Sequence, residues 1–243
     1  MIPHSEAVEA LCLLTPREPP RARVLFQDEQ LIAVEKSAYA PITPQGSHER
    51  SLLDSVRKLD GAAQAVAVRP LELVSGVCLF ARTQAAAPAI SEAWAEAPKQ
   101  YVALVQGITH KRGRIERTIR EGKALLPALT RYERERVVGT HSLLRVSPET
   151  SRAQQIQRHF AQIRHPVLGD ARHGNPAANR HFEERYGLDR PFLHLERVEL
   201  QLGAQRVALE SALPAELAAV LTNLGSAHDA RSVEPQKPAP RRQ

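Results

Sequence analysis

Cysteine is scarce in this sequence: the 243 residues include only two, Cys12 and Cys78. The two lie far apart, and neither has a second cysteine or a histidine at the spacing of a metal site. Structural zinc sites and disulfide-rich domains need such patterns. We therefore expect no structural zinc, and a reducing compartment, which we take to be the cytoplasm.

Long apolar runs are also missing. No stretch approaches the roughly 20 apolar residues that a membrane-spanning helix needs. The short apolar run at residues 8–14 follows Glu6 and has no lysine or arginine before it, which is not the pattern of a secretory signal. We expect no membrane partner.

Arginine far outnumbers lysine in this chain, whose formal net charge is +6. Guanidinium groups suit the recognition of phosphates through paired hydrogen bonds. Basic charge alone, however, does not distinguish a nucleic-acid-binding protein from a basic protein that its charge keeps dispersed. With 42% hydrophobic residues, the chain is long enough to bury a full core.

The residue pattern predicts a strand-rich α+β domain with about nine strands. A hairpin is predicted at residues 23–36, and a strand, a polar turn closed by Ser75-Gly76 and a second strand at residues 67–82. The other predicted strands are residues 99–107, 114–119, 128–137, 142–146, 192–200 and 206–209. Helices are predicted at residues 51–59 and 83–97, the second with Pro88 as an alternative start.

The carboxyl-terminal part predicts two more helices. The first begins with a capping box at Ser151, and its apolar stripe consists of Ile156, Phe160 and Ile163. A polar loop is predicted over residues 169–190, and the last helix covers residues 214–224 and ends at Gly225. Residues 226–243 are rich in proline and basic, so they predict a disordered tail.

Three separated stretches together resemble the RluA-type pseudouridine synthases. Residues 68–83 read VRPLELVSGVCLFART, beside the family's His-Arg-Leu-Asp-x-x-Thr-Ser-Gly and Phe-Ala-Lys/Arg-Thr. Residues 99–107 are similar to Lys-x-Tyr-x-Ala-Leu-Val-x-Gly, and residues 149–170 to Glu-Thr-Gly-Arg-Thr-His-Gln-Ile-Arg-x-His followed by His-Pro-Ile-x-Gly-Asp. The order and spacing match over residues 23–225, which is more specific than any single motif.

The resemblance implies the pseudouridine-synthase fold: a central, mostly antiparallel bent sheet with flanking helices and an RNA-binding cleft. It implies a leader at residues 1–20, a synthase-like domain at 21–225 and a tail at 226–243, with no room for the small RNA-binding domain that some members carry in front. The family isomerises uridine in structured RNA, such as ribosomal or transfer RNA, without cofactor or metal. It flips the base out of the stack because the reacting atoms are inaccessible inside a helix. We expect a monomer.

The family's active site departs from its pattern in this chain. The resemblance assigns catalysis to an aspartate, an arginine that keeps it charged, and a tyrosine that packs on the base. Tyr101 is present, but Leu71 stands at the aspartate position and Gln157 at the arginine position. A leucine cannot act as nucleophile or base. The loss of both the aspartate and the arginine avoids the cost, about 3–5 kcal/mol, of a buried charge without its partner. We therefore predict a non-ionic, inactive site.

An alternative hypothesis is that the chain is an active pseudouridine synthase. If the turn is one residue shorter than in the family, Glu72 supplies the carboxylate, although Gln157 still offers it no cationic partner. A displacement of about 1 Å in a catalytic group can cost about a hundredfold in rate. A third hypothesis is a retained scaffold that binds a protein or small ligand and no RNA.

RNA contacts are predicted at five basic residues. Arg69 aligns with an arginine that, in the family, reaches into the RNA near the flipped nucleotide. Lys99 and Arg152 match basic motif positions, and Lys111 and Arg112 lie in a basic turn. His159 is interpreted as a packed helix residue and not as an acid or base.

Overall fold

The computed structural model describes residues 22–43, 51–68 and 73–232, with side chains to residue 226. These residues form twelve strands and five helices. The strands are β1 (Arg23–Gln27), β2 (Leu31–Lys36), β3 (Val66–Ala67), β4 (Ser75–Ala81), β5 (Lys99–Val105), β6 (Arg112–Glu116), β7 (Ile119–Glu121), β8 (Ala124–Leu126), β9 (Leu129–Val138), β10 (His141–Pro148), β11 (Leu193–Leu202) and β12 (Gln205–Glu210). The helices are α1 (Leu52–Val56), α2 (Ala87–Glu96), α3 (Gln155–Gln162), α4 (Pro176–Tyr186) and α5 (Ala215–Ser232).

Ten of these strands form one sheet, in the order β1-β2-β4-β11-β5-β10-β9-β6, with β3 paired to β4 and β12 to β11. Its pairs are antiparallel except β4 with β11. The hairpin β7–β8 forms a separate two-stranded sheet. This architecture confirms the predicted α+β fold with a mostly antiparallel sheet.

Strand alternation divides the interior into cores on the two faces of the sheet, because successive side chains point to opposite faces. On β5, Tyr101, Ala103 and Val105 pack in the core that also contains residues of α2 and α3. Val102 and Leu104 pack with α4 and α5. A third cluster joins α1 to β2 and β4. Tyr101 therefore points to the α2–α3 face.

The Ser75-Gly76 pair stands at the parallel junction of β4 and β11. Gly76 has φ 119°, and a Cβ there would lie 2.1 Å from the carbonyl oxygen of Leu195, so glycine is required. Ser75 Oγ lies 3.0 Å from Nδ1 of the buried His194, and the buried guanidinium of Arg190 donates to the same oxygen at 3.2 Å. This polar network fixes the strand that follows the turn.

Several predicted boundaries are wrong. The capping box at Ser151 does not form: α3 begins at Gln155, after Gln154 adopts a left-handed conformation (φ 52°) without a side-chain cap. The predicted polar loop contains α4, whose amino end is capped by the Asn175 side chain and whose first residue is a proline. Helix α5 continues through Gly225, because a glycine lowers helix propensity without ending a helix.

Other predictions hold or stay untested. Helix α2 starts next to Pro88, at the predicted alternative start. Residues 1–21 and 233–243 lie outside the described residues, and the predicted domain boundaries stay predictions. No helix in the described ranges combines the length and the apolar composition that crossing a bilayer requires.

Candidate functional site

A cavity of about 910 Å³ opens at the edge of the α2–α3 core. Its buried inner wall includes Val74, Trp94, Lys99, Tyr101, Gln155, Ile156, Gln157 and Leu193. Its arginine rim consists of Arg120, Arg152, Arg158 and Arg172. The sheet, the first turn of α3 and the β7–β8 hairpin thus enclose a space with a mostly apolar wall, to which the buried Lys99 also belongs, and a cationic margin.

Tyr101 lies on the inner wall and is 7% exposed. Within the described residues its hydroxyl has no hydrogen-bond partner, and burial raises its pKa well above the usual range. The phenol therefore stays protonated at neutral pH. It can offer a ring face and a hydroxyl donor to a ligand.

Gln157 is the third residue of α3 and is 9% exposed. Among the described residues its side-chain amide has no partner. The neighbouring Gln155 is satisfied: its Oε1 accepts from Thr150 Oγ1 at 2.8 Å, and its Nε2 donates to the Leu129 carbonyl at 2.9 Å. Both glutamines line the cavity, and Gln155 also anchors the start of the helix.

His159 anchors α3 through buried hydrogen bonds. It is fully buried, its Nδ1 lies 2.8 Å from Thr130 Oγ1, and its Nε2 lies 3.2 Å from the Arg117 carbonyl. Burial lowers its pKa, so the ring is neutral at pH 7. The interpretation of His159 as a packed helix residue is confirmed.

The arginine rim is not neutralised by the protein. None of its four guanidinium groups pairs with a carboxylate in the described part of the chain, whereas arginines elsewhere on the sheet do, such as Arg112 with Glu133 (2.8 Å) and Arg197 with Glu210 (3.0 Å). Glu121, the one carboxylate among the described lining residues, instead accepts from the Ala153 backbone N–H at 2.8 Å. The rim is therefore available to an external anion.

Of the predicted RNA contacts, Arg152 and Lys99 line the cavity. The Lys99 ammonium donates to the Ala97 carbonyl at 2.7 Å and lies 5.2 Å from the ring centroid of Trp94. Lys111 and Arg112 do not line it: Arg112 begins β6 at the far edge of the sheet, and Lys111 precedes it.

Arg69, Leu71 and Glu72 lie outside the described residues, so their roles stay predictions. The segment that follows them is described. Val74 is buried on the inner wall, and its carbonyl accepts from the Lys36 ammonium at 3.1 Å. The carboxyl end of the turn therefore leads directly to the cavity.

Three of the four rim arginines were not predicted from the sequence. Arg120 stands in β7 just before Gly122, and this turn signal was the available hint. Arg172 follows Asp170, whose buried carboxylate accepts from the backbone N–H of Arg172 at 2.9 Å. Arg158 follows Gln157 in α3. Across the described residues, no three histidine, cysteine, aspartate or glutamate side chains come together as a metal site.

Comparison with known proteins adds sequence relatives to this geometry. Residues 30–162, which include positions 71, 101 and 157, match the model of a family described as RNA pseudouridylate synthase. The tRNA pseudouridine synthase C of Salmonella typhimurium is 30% identical over 211 residues, which cover 73% of this chain and 79% of that protein. The Salmonella typhi protein of the same name is 29% identical over 238 residues, with coverage of 83% and 89%.

Two solved human structures share the fold. RNA Pseudouridylate Synthase Domain Containing 1 aligns with a TM-score of 0.68 at 20% identity, over 85% of this chain and 90% of that one. RNA Pseudouridylate Synthase Domain Containing 4 aligns with a TM-score of 0.67 at 18% identity, over 83% and 92%. At these identities the similarity concerns the fold alone.

Proposed function

Since this chain belongs to the RNA pseudouridylate synthase family, we propose that it binds structured RNA in the cavity and does not isomerise uridine. The observation that carries the proposal is the arginine rim, four guanidinium groups without a carboxylate partner in the described residues, around a mostly apolar wall. RNA presents a phosphate at every nucleotide, and arginine is the side chain best suited to bind it.

Transfer RNA is the first RNA to test. The relatives that match over most of this chain are named tRNA pseudouridine synthase C. We propose transfer RNA as a ligand of this chain and not as its substrate.

The absence of catalysis is inferred from Leu71 and Gln157 together. Position 71 has no ionisable group, and an amide cannot keep a carboxylate charged as a guanidinium can. Gln157 is buried beside Tyr101 on the inner wall, so a carboxylate brought against it would be desolvated without a cation from this position. Leu71 and Gln157 together remove the groups that the reaction needs and leave the binding cavity in place.

The deciding experiment combines binding with product mapping. Purified protein is incubated with total cellular RNA, pseudouridine is mapped by carbodiimide modification, and binding of transfer RNA is measured on filters. We expect binding and no new pseudouridine. New pseudouridine sites that disappear with the Glu72→Gln variant would establish an active enzyme that uses Glu72 as its carboxylate. Absent or salt-independent binding of transfer RNA would favour the third hypothesis, a scaffold that binds no RNA.

A further inference from the structure

We propose that RNA bound at the cavity continues along the outer side of α3, on a second binding surface that ends beside the start of α4. This inference rests on the proposed RNA binding and adds a surface outside the cavity. We call this surface the outer groove, and its lining includes Arg158, Ala161, Gln162, Arg164, His165 and His173.

The outer groove is continuous with the cavity. A hollow of about 510 Å³ shares Arg120, Gly122 and Arg158 with the cavity. A further hollow of about 620 Å³ shares Ala161 with the first hollow and reaches Pro176, the first residue of α4. Helix α3 has eight residues, so at a rise of about 1.5 Å per residue it is about 12 Å long. A nucleic-acid strand that leaves the cavity can therefore follow the helix with more than one phosphate.

The charge of the outer groove suits a chain of phosphates. The described residues that line its two hollows include no carboxylate. The side chain of Arg164 has no hydrogen bond or ion pair within the described part of the chain. Arg158 donates to the Arg120 carbonyl at 2.7 Å, which holds its guanidinium where the groove meets the cavity and leaves its charge unneutralised. Both guanidinium groups can therefore bind an external anion.

Arg164 occupies a backbone position that glycine usually takes at the end of a helix. Its φ is 64°, in the left-handed region, and its backbone N–H donates to the Ala161 carbonyl at 3.0 Å. The left-handed conformation is less favourable for any residue with a Cβ than for glycine. Arginine therefore costs stability here, and it supplies an exposed guanidinium at the end of α3.

Two histidines give the outer groove hydrogen-bonding groups that suit ribose. His165 Nδ1 lies 2.8 Å from the Gln106 carbonyl, so this nitrogen carries a proton and Nε2 is left for a ligand. His173 Nε2 lies 2.8 Å from Gln154 Oε1, which leaves Nδ1. A ribose 2′-hydroxyl both donates and accepts, so it can pair with such a nitrogen with or without a proton. Carboxylates only accept, so RNA suits these groups better than an acidic polypeptide does.

Site-directed crosslinking tests the path of the RNA. Gln162→Cys in the outer groove and Gln205→Cys on exposed β12 are each made in a Cys12→Ser background, in which the remaining Cys78 is buried. Each protein is labelled with a thiol-reactive photocrosslinker, mixed with transfer RNA and irradiated. Filter retention of the RNA is measured on the same samples. We expect the RNA to crosslink to the label at position 162 and not to the label at position 205.

A charge variant measures what the outer groove contributes to binding. Arg164→Gln keeps a Cβ at the left-handed position and removes the guanidinium. It should lower the slope of log affinity for transfer RNA against log salt concentration by about 0.7–0.9, the value for one phosphate contact. The control is Arg185→Gln, an exposed arginine of α4 that lines neither the cavity nor the outer groove, and it should leave the slope unchanged. Equal melting temperatures of the two variants exclude misfolding as the cause.

Two results would overturn the outer groove while leaving RNA binding at the cavity intact: retained transfer RNA that does not crosslink to position 162, and a slope for Arg164→Gln equal to that of wild type. If no RNA is retained, the proposed function fails and the inference fails with it. Polyglutamate serves as a competitor in a further arm of the crosslinking experiment. If it removes the crosslink at a concentration that leaves RNA retention unchanged, the groove binds acidic polypeptides in preference to RNA and the inference is overturned.

Discussion

Removal of two rim arginines should change the salt dependence of RNA binding by a predictable amount. Affinity falls with the logarithm of salt concentration with a slope of about 0.7 per neutralised phosphate on single strands and about 0.9 on duplexes. The four arginines of the rim therefore account for a slope of about 2.8–3.6 if each contacts one phosphate. Arg152→Gln with Arg172→Gln should lower the slope by about 1.4–1.8.

This pair is chosen because its loss costs the fold little. Arg172 has no side-chain hydrogen bond or ion pair within the described residues, and Arg152 Nε makes one long bond, 3.3 Å, to the Pro127 carbonyl. Arg158, by contrast, donates to the Arg120 carbonyl at 2.7 Å and ties α3 to the hairpin. The double variant should therefore melt close to wild type.

The assay is filter binding of transfer RNA between about 50 and about 200 mM salt. Over this fourfold range the affinity of the double variant should fall about 7- to 12-fold less than that of wild type. The matched control is Arg136→Gln with Arg180→Gln, two exposed arginines that do not line the cavity. Both double variants remove two charges. If the control lowers the slope as much as the rim variant does, the overall charge and not the rim binds RNA, and the reasoning is refuted.

Three further predictions concern stability. Leu71→Asp should be destabilised by about 3–5 kcal/mol relative to Leu71→Asp with Gln157→Arg, since the arginine pairs the new carboxylate; equal thermal melts would show that the two positions are not neighbours. Gly76→Ala should cost about 2–5 kcal/mol in urea unfolding, because its Cβ would meet a backbone oxygen of β11 at 2.1 Å. The control Gly203→Ala, where φ is also positive but nothing lies within 4 Å, should cost about 1–2 kcal/mol. Burial lowers the folded-state pKa of His159 below the ordinary 6.5. As the pH falls, the unfolded chain therefore binds a proton at this histidine before the folded chain does, so the free energy of unfolding should hold above pH about 6.5 and decline below it. A urea midpoint that stays the same between pH 7.5 and about 5.5 would contradict this prediction.

Local patterns predicted the strands better than the helix ends. Strands such as β5 and β9 were predicted because alternation and β-branched residues are visible within a few neighbouring positions. The capping box at Ser151 failed because the Gln155 side chain accepts from the Arg152 backbone N–H at 3.2 Å and the helix starts later. Helix α4 was missed because its polar sequence has a weak apolar stripe, with Phe182 as its one fully buried residue.

The candidate site was predicted in part. The motifs indicated Tyr101, Gln157, Lys99 and Arg152, and these four residues line one cavity. Lys111 and Arg112 were predicted from charge alone, and Arg112 is paired with Glu133. A run of basic residues in the sequence does not reveal whether its charges are already neutralised.

The sequence by itself determined the strand pattern, the family resemblance and the residue types at positions 71 and 157, because these depend only on residue identity and on near neighbours in the chain. Only the tertiary structure decided which arginines are neutralised and which are available. Arg112 meets Glu133, 21 residues away, through the register of β6 on β9, whereas the rim arginines are brought together from β7, α3 and two loops at the edge of the α2–α3 core. Long-range pairing follows strand register and helix packing, and these are properties of the folded chain.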